Sequence, residues 1–99
     1  MPTVQHNYDG LIFEWHSHKA EISLKKHGVS FDEALTALMD TASLTNEDNR
    51  SYDGEQRYIT LGVSKYGRLL YVVWTYRDDR YRLISARKAN RHETRGYYG

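Results

Sequence analysis

The sequence contains no cysteine, which excludes a disulfide framework and any metal site built on thiolates. It also has a single proline, no apolar run near the length of a membrane span, and no signal-peptide pattern at its start. These absences predict a soluble, cytoplasmic protein that does not act at a membrane.

The length of 99 residues predicts one small domain, residues 1–99, with a modest hydrophobic core. A hydrophobic content of 39% and an aromatic content of 13% are typical of a folded chain rather than a disordered one. Only residues 1–10 are interpreted differently, as a loosely ordered N-terminal extension.

The charge is divided between the two halves of the chain, although the total is only +1. Residues 1–55 carry four Lys and Arg against ten Asp and Glu, a net charge of −6. Residues 56–99 carry ten Lys and Arg against three Asp and Glu, a net charge of +7. A basic half that is rich in arginine and tyrosine predicts an anionic partner, foremost RNA.

The first half predicts a strand and two helices. Residues 11–15 have the composition of a short strand, and residues 17–27 have apolar positions at helical spacing. Gly28 then stands where a helix ends. Ser30 is expected to cap the second helix, with the side chain of Glu33 reaching back to complete a capping box.

The second half changes to the period of two that is typical of strands. We expect, in order, a loop over residues 41–54 with a short strand near 43–45, strands over 59–64, 69–76 and 81–85, and a closing helix over 88–97. This order predicts an α+β fold with the helices on one side of an antiparallel sheet.

The turn between the last two strands sets the register of their side chains. If Asp78 and Asp79 form a two-residue hairpin turn, Arg77 lies opposite Arg80, and Arg82 shares their face. Three neighbouring arginines repel one another unless an anion meets them. The alternative is that these arginines form a solvated face, where salt screens the repulsion between their charges.

Five segments carry a resemblance to a known family: Phe13-Glu14-Trp15; Lys26 to Phe31 with Glu33-Ala34; Gly54-Glu55-Gln56-Arg57; Gly67-Arg68-Leu69-Leu70; and Ile84 to Ala89 with Glu93 and Tyr97. In this order and spacing they resemble the BrnT family of bacterial toxins, over residues 11–98. The family usually has Asp where this chain has His16, so we expect His16 to cap the first helix poorly and Ser17 to take over.

The resemblance implies a RelE-like ribonuclease toxin of a type II toxin–antitoxin system. In such a toxin, a curved antiparallel sheet carries the RNA site. The implied partner is a BrnA-like antitoxin with a ribbon-helix-helix portion, which forms a hetero-oligomer with the toxin. That complex represses its own operon and contacts DNA only through the antitoxin.

Metal-free RNA cleavage requires a base for the 2′-hydroxyl, an acid for the leaving oxygen, and cations for the phosphorane. The predicted catalytic residues are His27, Glu55, Arg57, Arg77, Arg82 and Arg87. The predicted RNA-binding residues are Lys26, Arg68, Arg80, Lys88 and Arg91. His27 is the first candidate for proton transfer because histidine titrates near neutral pH, and Glu55 is the second. Tyr71, Tyr76 or Tyr81 could stack on an unpaired base.

Several of these residues have structural alternatives. His27 stands at a helix end, where the helix dipole favours an imidazolium. Arg87, placed at the start of the closing helix, could bind loop carbonyls, and Arg91 and Arg95 would extend its stripe as a solvated face or antitoxin contact. His16 and His18 have no evident third ligand, so we expect neither a metal nor another cofactor.

Two functions therefore compete. The first is a metal-independent endoribonuclease that inhibits translation and growth and is neutralised by its antitoxin. The second is a non-catalytic module whose basic face binds RNA or an acidic protein segment.

Overall fold

The computed structural model describes residues 2–50 and 54–99, in which six strands form one sheet that is accompanied by three helices. Their order is β1 (Thr3–Tyr8), β2 (Leu11–His16), α1 (Ser17–His27), α2 (Phe31–Ala37), β3 (Leu44–Asp48), β4 (Arg57–Val63), β5 (Leu69–Arg77), β6 (Arg80–Lys88) and α3 (Arg91–Tyr98). The α+β class is confirmed. Residues 51–53 of the predicted loop lie outside the described residues, and β3 extends beyond the short strand expected near 43–45.

The sheet has the strand order β1-β2-β6-β5-β4-β3. Every neighbouring pair is antiparallel except β2 and β6, which run parallel. A parallel pair needs a long connection, and here the chain from α1 to β5 supplies it. The parallel contact places the N-terminal strand beside the basic hairpin of β5 and β6.

The hydrophobic core lies between the sheet and the layer formed by α1 and α2. The apolar side chains of one sheet face pack against α2. The large side chains that are fully buried between them include Phe13, Leu70 and Leu83 of the sheet and Phe31 and Leu35 of α2. Gly62 of β4 lets α2 approach closely, because a Cβ there would lie 2.1 Å from the carbonyl oxygen of Ala37.

β1 corrects the expectation of a loosely ordered N-terminal extension. Residues 3–8 pair with β2 along their whole length, from Thr3 opposite His16 to Tyr8 opposite Leu11. Asp9 and Gly10 form the connection, with φ of 54° and 81°. An Asp-Gly pair favours a two-residue hairpin turn, so the sequence does carry a local signal for this strand.

The helix ends are set by short-range hydrogen bonds. Gly28 ends α1 in the left-handed region at φ 68°, as predicted. His16 nevertheless caps α1 itself, with Nδ1 accepting from the backbone N–H of His18 at 3.3 Å, so the expected shift of the cap to Ser17 is wrong. Ser30 caps α2 by accepting from the N–H of Glu33 at 3.1 Å, but the Glu33 carboxylate binds Ser64 and Arg68 instead of reaching back.

The closing helix begins later than predicted. β6 continues to Lys88, and α3 begins at Arg91 after the N-cap Asn90. Asn90 Oδ1 accepts from the N–H of Glu93 at 2.8 Å, while Glu93 Oε1 accepts from the N–H of Asn90 at 2.9 Å. This reciprocal capping box fixes the helix start, so Arg87 belongs to a strand, and its predicted helical stripe does not form.

None of the helices in the described part of the chain has the length and apolar character needed to cross a membrane.

Candidate functional site

The candidate site lies on the face of the sheet opposite α1 and α2, which we call the open face. The hairpin register predicted from Asp78 and Asp79 is confirmed, with both residues in the left-handed region at φ 54° and 61°. Arg77 lies opposite Arg80, and Arg82 follows on the same face. Side chains alternate between the two faces along each strand, and the register of the hairpin thus brings these arginines together on one face.

One cross-strand alignment gives the site its centre, and we call it the polar row. Paired residues of six adjacent strands form it, namely Gln5, Glu14, Arg82, Thr75, Arg57 and Asp48. Neighbouring strands lie about 4.8 Å apart, so these polar side chains form a continuous line across the sheet. Arg82 and Arg57 flank the buried Thr75, whose hydroxyl donates to the carbonyl oxygen of Gln56 at 2.7 Å.

Glu14 is the carboxylate around which two of the arginines converge. Arg82 Nη1 lies 2.9 Å from Glu14 Oε2, and Arg80 Nη1 lies 3.5 Å from Glu14 Oε1. The Glu14 side chain is only 10% exposed, whereas Arg80 is 43% exposed. A buried carboxylate that meets two guanidinium groups holds their forks in place while the outer nitrogens stay accessible.

A second ion pair continues the cluster toward the hairpin tip. Arg77 Nη1 lies 3.4 Å from Glu55 Oε2, and both side chains are partly exposed. The predicted residues Arg57, Arg77, Arg80, Arg82 and Glu55 therefore come together at one end of the open face. Carboxylates position the guanidinium groups of Arg77, Arg80 and Arg82, a pattern that the arginine spacing alone did not predict.

Arg87 lies at the other end of the open face. It is five residues from Arg82, which corresponds to about 16 Å along a strand. Its guanidinium carbon lies 3.8 Å from the centre of the Tyr71 ring, and its two terminal nitrogens bind Glu93 at 2.9 and 2.8 Å. The hydrogen bonds to Arg87 lower the pKa of the Glu93 carboxyl, so Arg87 ties α3 to the sheet.

Three predicted RNA-binding residues lie outside the polar row. Arg68 donates to Glu33 and to the carbonyl oxygen of Gly28 at 3.0 Å, on the helix-covered side of the fold. Lys88 and Arg91 are exposed near the junction of β6 and α3. The structure does not bring any of them to the polar row.

His27 and Lys26 are likewise separated from the arginines. Both lie at the end of α1, in the layer that covers the opposite face of the sheet. They line a groove between α1 and β6 together with Ile84 and Ser85. The site expected to combine His27 with the arginines is therefore divided between two surfaces.

Sequence reasoning missed two residues beside the arginines, Glu14 and His16. They alternate with Phe13 and Trp15 along β2, so the buried aromatic pair indicates that both point to the open face. Burial first, and then nearby positive charges that include Arg82, lower the pKa of His16 below its usual 6.5. His16 is therefore mainly neutral at pH 7 and can exchange protons beside the polar row.

Aromatic side chains cluster at the same end of the sheet, but on its other face. The rings of Tyr58 and Trp74 are stacked 4.8 Å apart, and Tyr81 contacts both Trp74 and Tyr76. Tyr76 is 50% exposed and available to a ligand that passes over the hairpin end of the sheet, whereas Tyr71 lies beneath Arg87. Among residues 2–50 and 54–99, no group of three or more His, Asp or Glu side chains is placed to hold a metal ion.

Comparison with known proteins shows similarity to a family model and to a solved structure. A family model described as "Ribonuclease toxin, BrnT, of type II toxin-antitoxin system" matches residues 15–93. The structure is similar to the crystal structure of the Brucella abortus ribonuclease toxin, BrnT, with a TM-score of 0.56 and 19% sequence identity over 78% of this chain and 94% of that one. At this identity the structural match supports the fold alone. No curated protein sequence matches the chain.

Proposed function

This chain belongs to the BrnT family of ribonuclease toxins of type II toxin–antitoxin systems, and we propose that it cleaves RNA without a metal ion at the polar row. The observation that carries the proposal is the convergence of Arg57, Arg77, Arg80 and Arg82 on one end of an open sheet face. Cationic forks held in fixed positions are the main requirement for stabilising a phosphorane.

The polar row offers more stabilisation to the transition state than to bound RNA. A phosphodiester carries one negative charge, whereas the phosphorane that forms during cleavage carries two. Arg82 and Arg57, on either side of Thr75, are placed to meet the added charge. An interaction that strengthens as the reaction proceeds raises the rate of the chemical step rather than only the affinity.

Glu14 acts as a positioning residue in this mechanism. Its two ion pairs orient Arg82 and Arg80, and its burial keeps it from meeting the substrate directly. Two groups at the margin of the cluster can transfer protons, Glu55 beside Arg77 and His16 two residues after Glu14. One of them removes the 2′-hydroxyl proton as that oxygen attacks the phosphorus, and the other gives a proton to the leaving 5′-oxygen as its bond to phosphorus breaks.

Cleavage of a fluorescent single-stranded RNA in the presence of EDTA tests the proposal. We expect Arg82→Ala to lower kcat by at least about a hundredfold, the effect of removing one preorganised donor to a developing charge. Arg95→Ala removes an exposed arginine of α3 and serves as the matched control. Equal cleavage by wild type and Arg82→Ala would reveal a contaminating nuclease, and loss of all cleavage in EDTA would refute the metal-free mechanism.

A binding module without catalysis is the competing outcome. Arg77, Arg80 and Arg82 already meet carboxylates, Arg77 at Glu55 and the other two at Glu14. RNA that binds in an Arg82-dependent manner, yet stays intact under all conditions, would favour this function over cleavage.

Membership of the family also supports the proposal that this chain binds an antitoxin. The proposed toxin is neutralised by a BrnA-like ribbon-helix-helix antitoxin, and the complex represses its own operon. DNA is then bound through the antitoxin. Gel-shift assays with operator DNA should show binding by the complex and none by this chain alone, and equally tight binding by both would contradict this arrangement.

A further inference from the structure

The groove between α1 and β6 is a second surface, which the proposed RNA chemistry does not use. It has a volume of about 290 Å³ and is lined on the helix side by Lys19, Ile22 and Lys26. On the sheet side its lining includes Ile84 and Ser85. We call it the α1–β6 groove.

The groove arises because β6 is longer than its pairing with β2. β2 pairs with β6 only from Tyr81 to Leu83 and then turns into α1. Among the described residues, no strand pairs with this side of β6 beyond Leu83. The strand nevertheless continues to Lys88, so its last residues face a helix instead of another strand.

Backbone groups of β6 point toward the groove. Ala89 donates to the carbonyl oxygen of Leu69 at 3.0 Å, and the alternation of antiparallel hydrogen bonds then directs the N–H and C=O of Ala86 away from β5. A hydrogen bond from α1 supports this direction, because the Ser23 hydroxyl donates to the carbonyl oxygen of Ala86 at 3.1 Å. Strand geometry places the N–H of Ala86 on the same side of β6 as this carbonyl.

The rim of the groove is basic and its walls are partly apolar. Lys19 and Lys26 stand about two helical turns apart on α1, with His27 beside Lys26. Ile22 lies between them and is 46% exposed. None of the described residues that line the groove is acidic. A ligand that matches this surface carries carboxylates on either side of an apolar side chain.

We propose that the α1–β6 groove binds an extended acidic segment of a protein partner. This proposal rests on the proposed function only in taking the antitoxin as the source of that segment. Its carboxylates meet Lys19 and Lys26, an apolar side chain contacts Ile22 and Ile84, and its backbone runs beside β6. An extended segment is favoured over a helix because only an extended backbone can follow the side of β6 with which no described strand pairs beyond Leu83.

The composition of the groove favours a peptide over RNA. Proteins that bind unpaired RNA use aromatic rings for the bases and arginine forks for the phosphates. The described lining contains no arginine and no aromatic ring other than the imidazole of His27, whereas arginines and several tyrosines are found at the hairpin end of the sheet. Isoleucine walls between lysines match a segment of alternating acidic and apolar residues.

The test uses the full chain, labelled with ¹⁵N, and three probes. The first probe is a capped nine-residue peptide of alternating glutamate and valine, the second replaces glutamate with lysine, and the third is a single-stranded RNA hexamer. We expect the acidic peptide to shift the amide signals of Ile84, Ser85 and Ala86 in a saturable manner. The lysine peptide should shift none of them.

A matched pair of double variants separates the groove from general charge. Lys19→Gln with Lys26→Gln removes the rim lysines and should weaken peptide binding roughly fivefold, as expected for two exposed ion pairs. Lys25→Gln with Lys65→Gln makes the same change of charge at lysines outside the groove lining and should leave the affinity within twofold.

Three results would overturn the proposal. These are no shift of the groove amides at millimolar acidic peptide, equal weakening by both double variants, and stronger shifts of the same amides by the RNA hexamer. None of these measurements depends on ribonuclease activity, so an inactive enzyme with a functional groove, or the reverse, would be recognised.

Discussion

Replacing Glu33 with alanine should be among the most destabilising single changes in this domain. The Glu33 side chain is only 3% exposed and accepts from Ser64 Oγ at 2.7 Å and from Arg68 Nε at 2.9 Å, with a further bond from Arg68 Nη2. It also lies in the first turn of α2, where a negative charge is stabilised by the helix dipole. Its removal leaves a guanidinium and a hydroxyl without their acceptor.

The magnitude follows from the burial of the two partners. Removing one partner of a buried ion pair costs about 3–5 kcal/mol of the free energy of unfolding. The Arg68 side chain is 33% exposed and keeps its bond to the carbonyl oxygen of Gly28, so water can replace part of the loss. We therefore expect about 3 kcal/mol, or a fall in melting temperature of roughly 12–24 °C for a domain of this size.

Urea unfolding followed by circular dichroism measures this cost. Glu21→Ala removes an exposed carboxylate of α1 and should change the free energy of unfolding by less than about 0.5 kcal/mol. Glu33→Ala and Arg68→Ala combined should cost clearly less than the sum of the single changes, because both remove the same contact. A cost below about 1 kcal/mol for Glu33→Ala, or strict additivity, would refute the reasoning.

The same pair gives a pH dependence. Hydrogen bonds from Arg68, the largest cause, hold the pKa of Glu33 below its usual 4.5, so the unfolded chain binds its proton more readily than the folded one. The stability contributed by Glu33 is thus present above pH 4.5 and is lost as the pH falls through the folded pKa. Glu33→Ala should flatten this part of the acid unfolding curve.

Three further changes test other parts of the fold. His16→Asp should raise the free energy of unfolding by about 0.5–1 kcal/mol, because Asp is a preferred N-cap residue. Urea unfolding measures this gain, with His16→Ala as the comparison, and no gain over wild type would contradict the assignment of residue 16 as the cap. Gly62→Ala should lower the melting temperature by more than 10 °C, because the backbone must shift to separate the new Cβ from the Ala37 carbonyl oxygen, at a cost on the order of a few kcal/mol. An unchanged melting temperature would show that α2 moves freely. Tyr97 donates to Asp40, and this contact raises the pKa of Tyr97 to about 12. Absorbance at 295 nm should therefore show one tyrosine that titrates near pH 12 in the wild type but not in Asp40→Asn, and α3 should loosen as the pH rises from 10 to 12. Titration of Tyr97 near pH 10 would refute this contact.

The best sequence predictions were those that depend on neighbours in the chain. The Asp78-Asp79 turn predicted the pairing of Arg77 with Arg80, and it is confirmed because two-residue hairpins leave little freedom in register. The cap at Ser30 was predicted for the same reason. Even at this level competition matters, since Glu33 had a local partner available but binds two residues that are more than thirty positions away.

Errors occurred where two local signals were compatible with one segment. Residues 86–90 could continue a strand or begin a helix, and pairing with β5 extended the strand to Lys88. As a result Arg87 lies on Tyr71 and binds Glu93 across the turn into α3. Its side chain stabilises the docking of α3, and its proposed role in the catalytic site lacks support from this position.

The sequence by itself determined the turn between β5 and β6, the end of α1 at Gly28, the cap of α2 at Ser30 and the gathering of Arg77, Arg80 and Arg82 on one sheet face, because each depends on contacts within a few residues. Only the tertiary structure decided which carboxylates meet those arginines. Glu14 reaches Arg82 from 68 positions away because β2 runs parallel to β6, and no local pattern encodes that pairing. The same packing placed α1, and His27 with it, on the opposite side of the sheet, since its buried face follows the core.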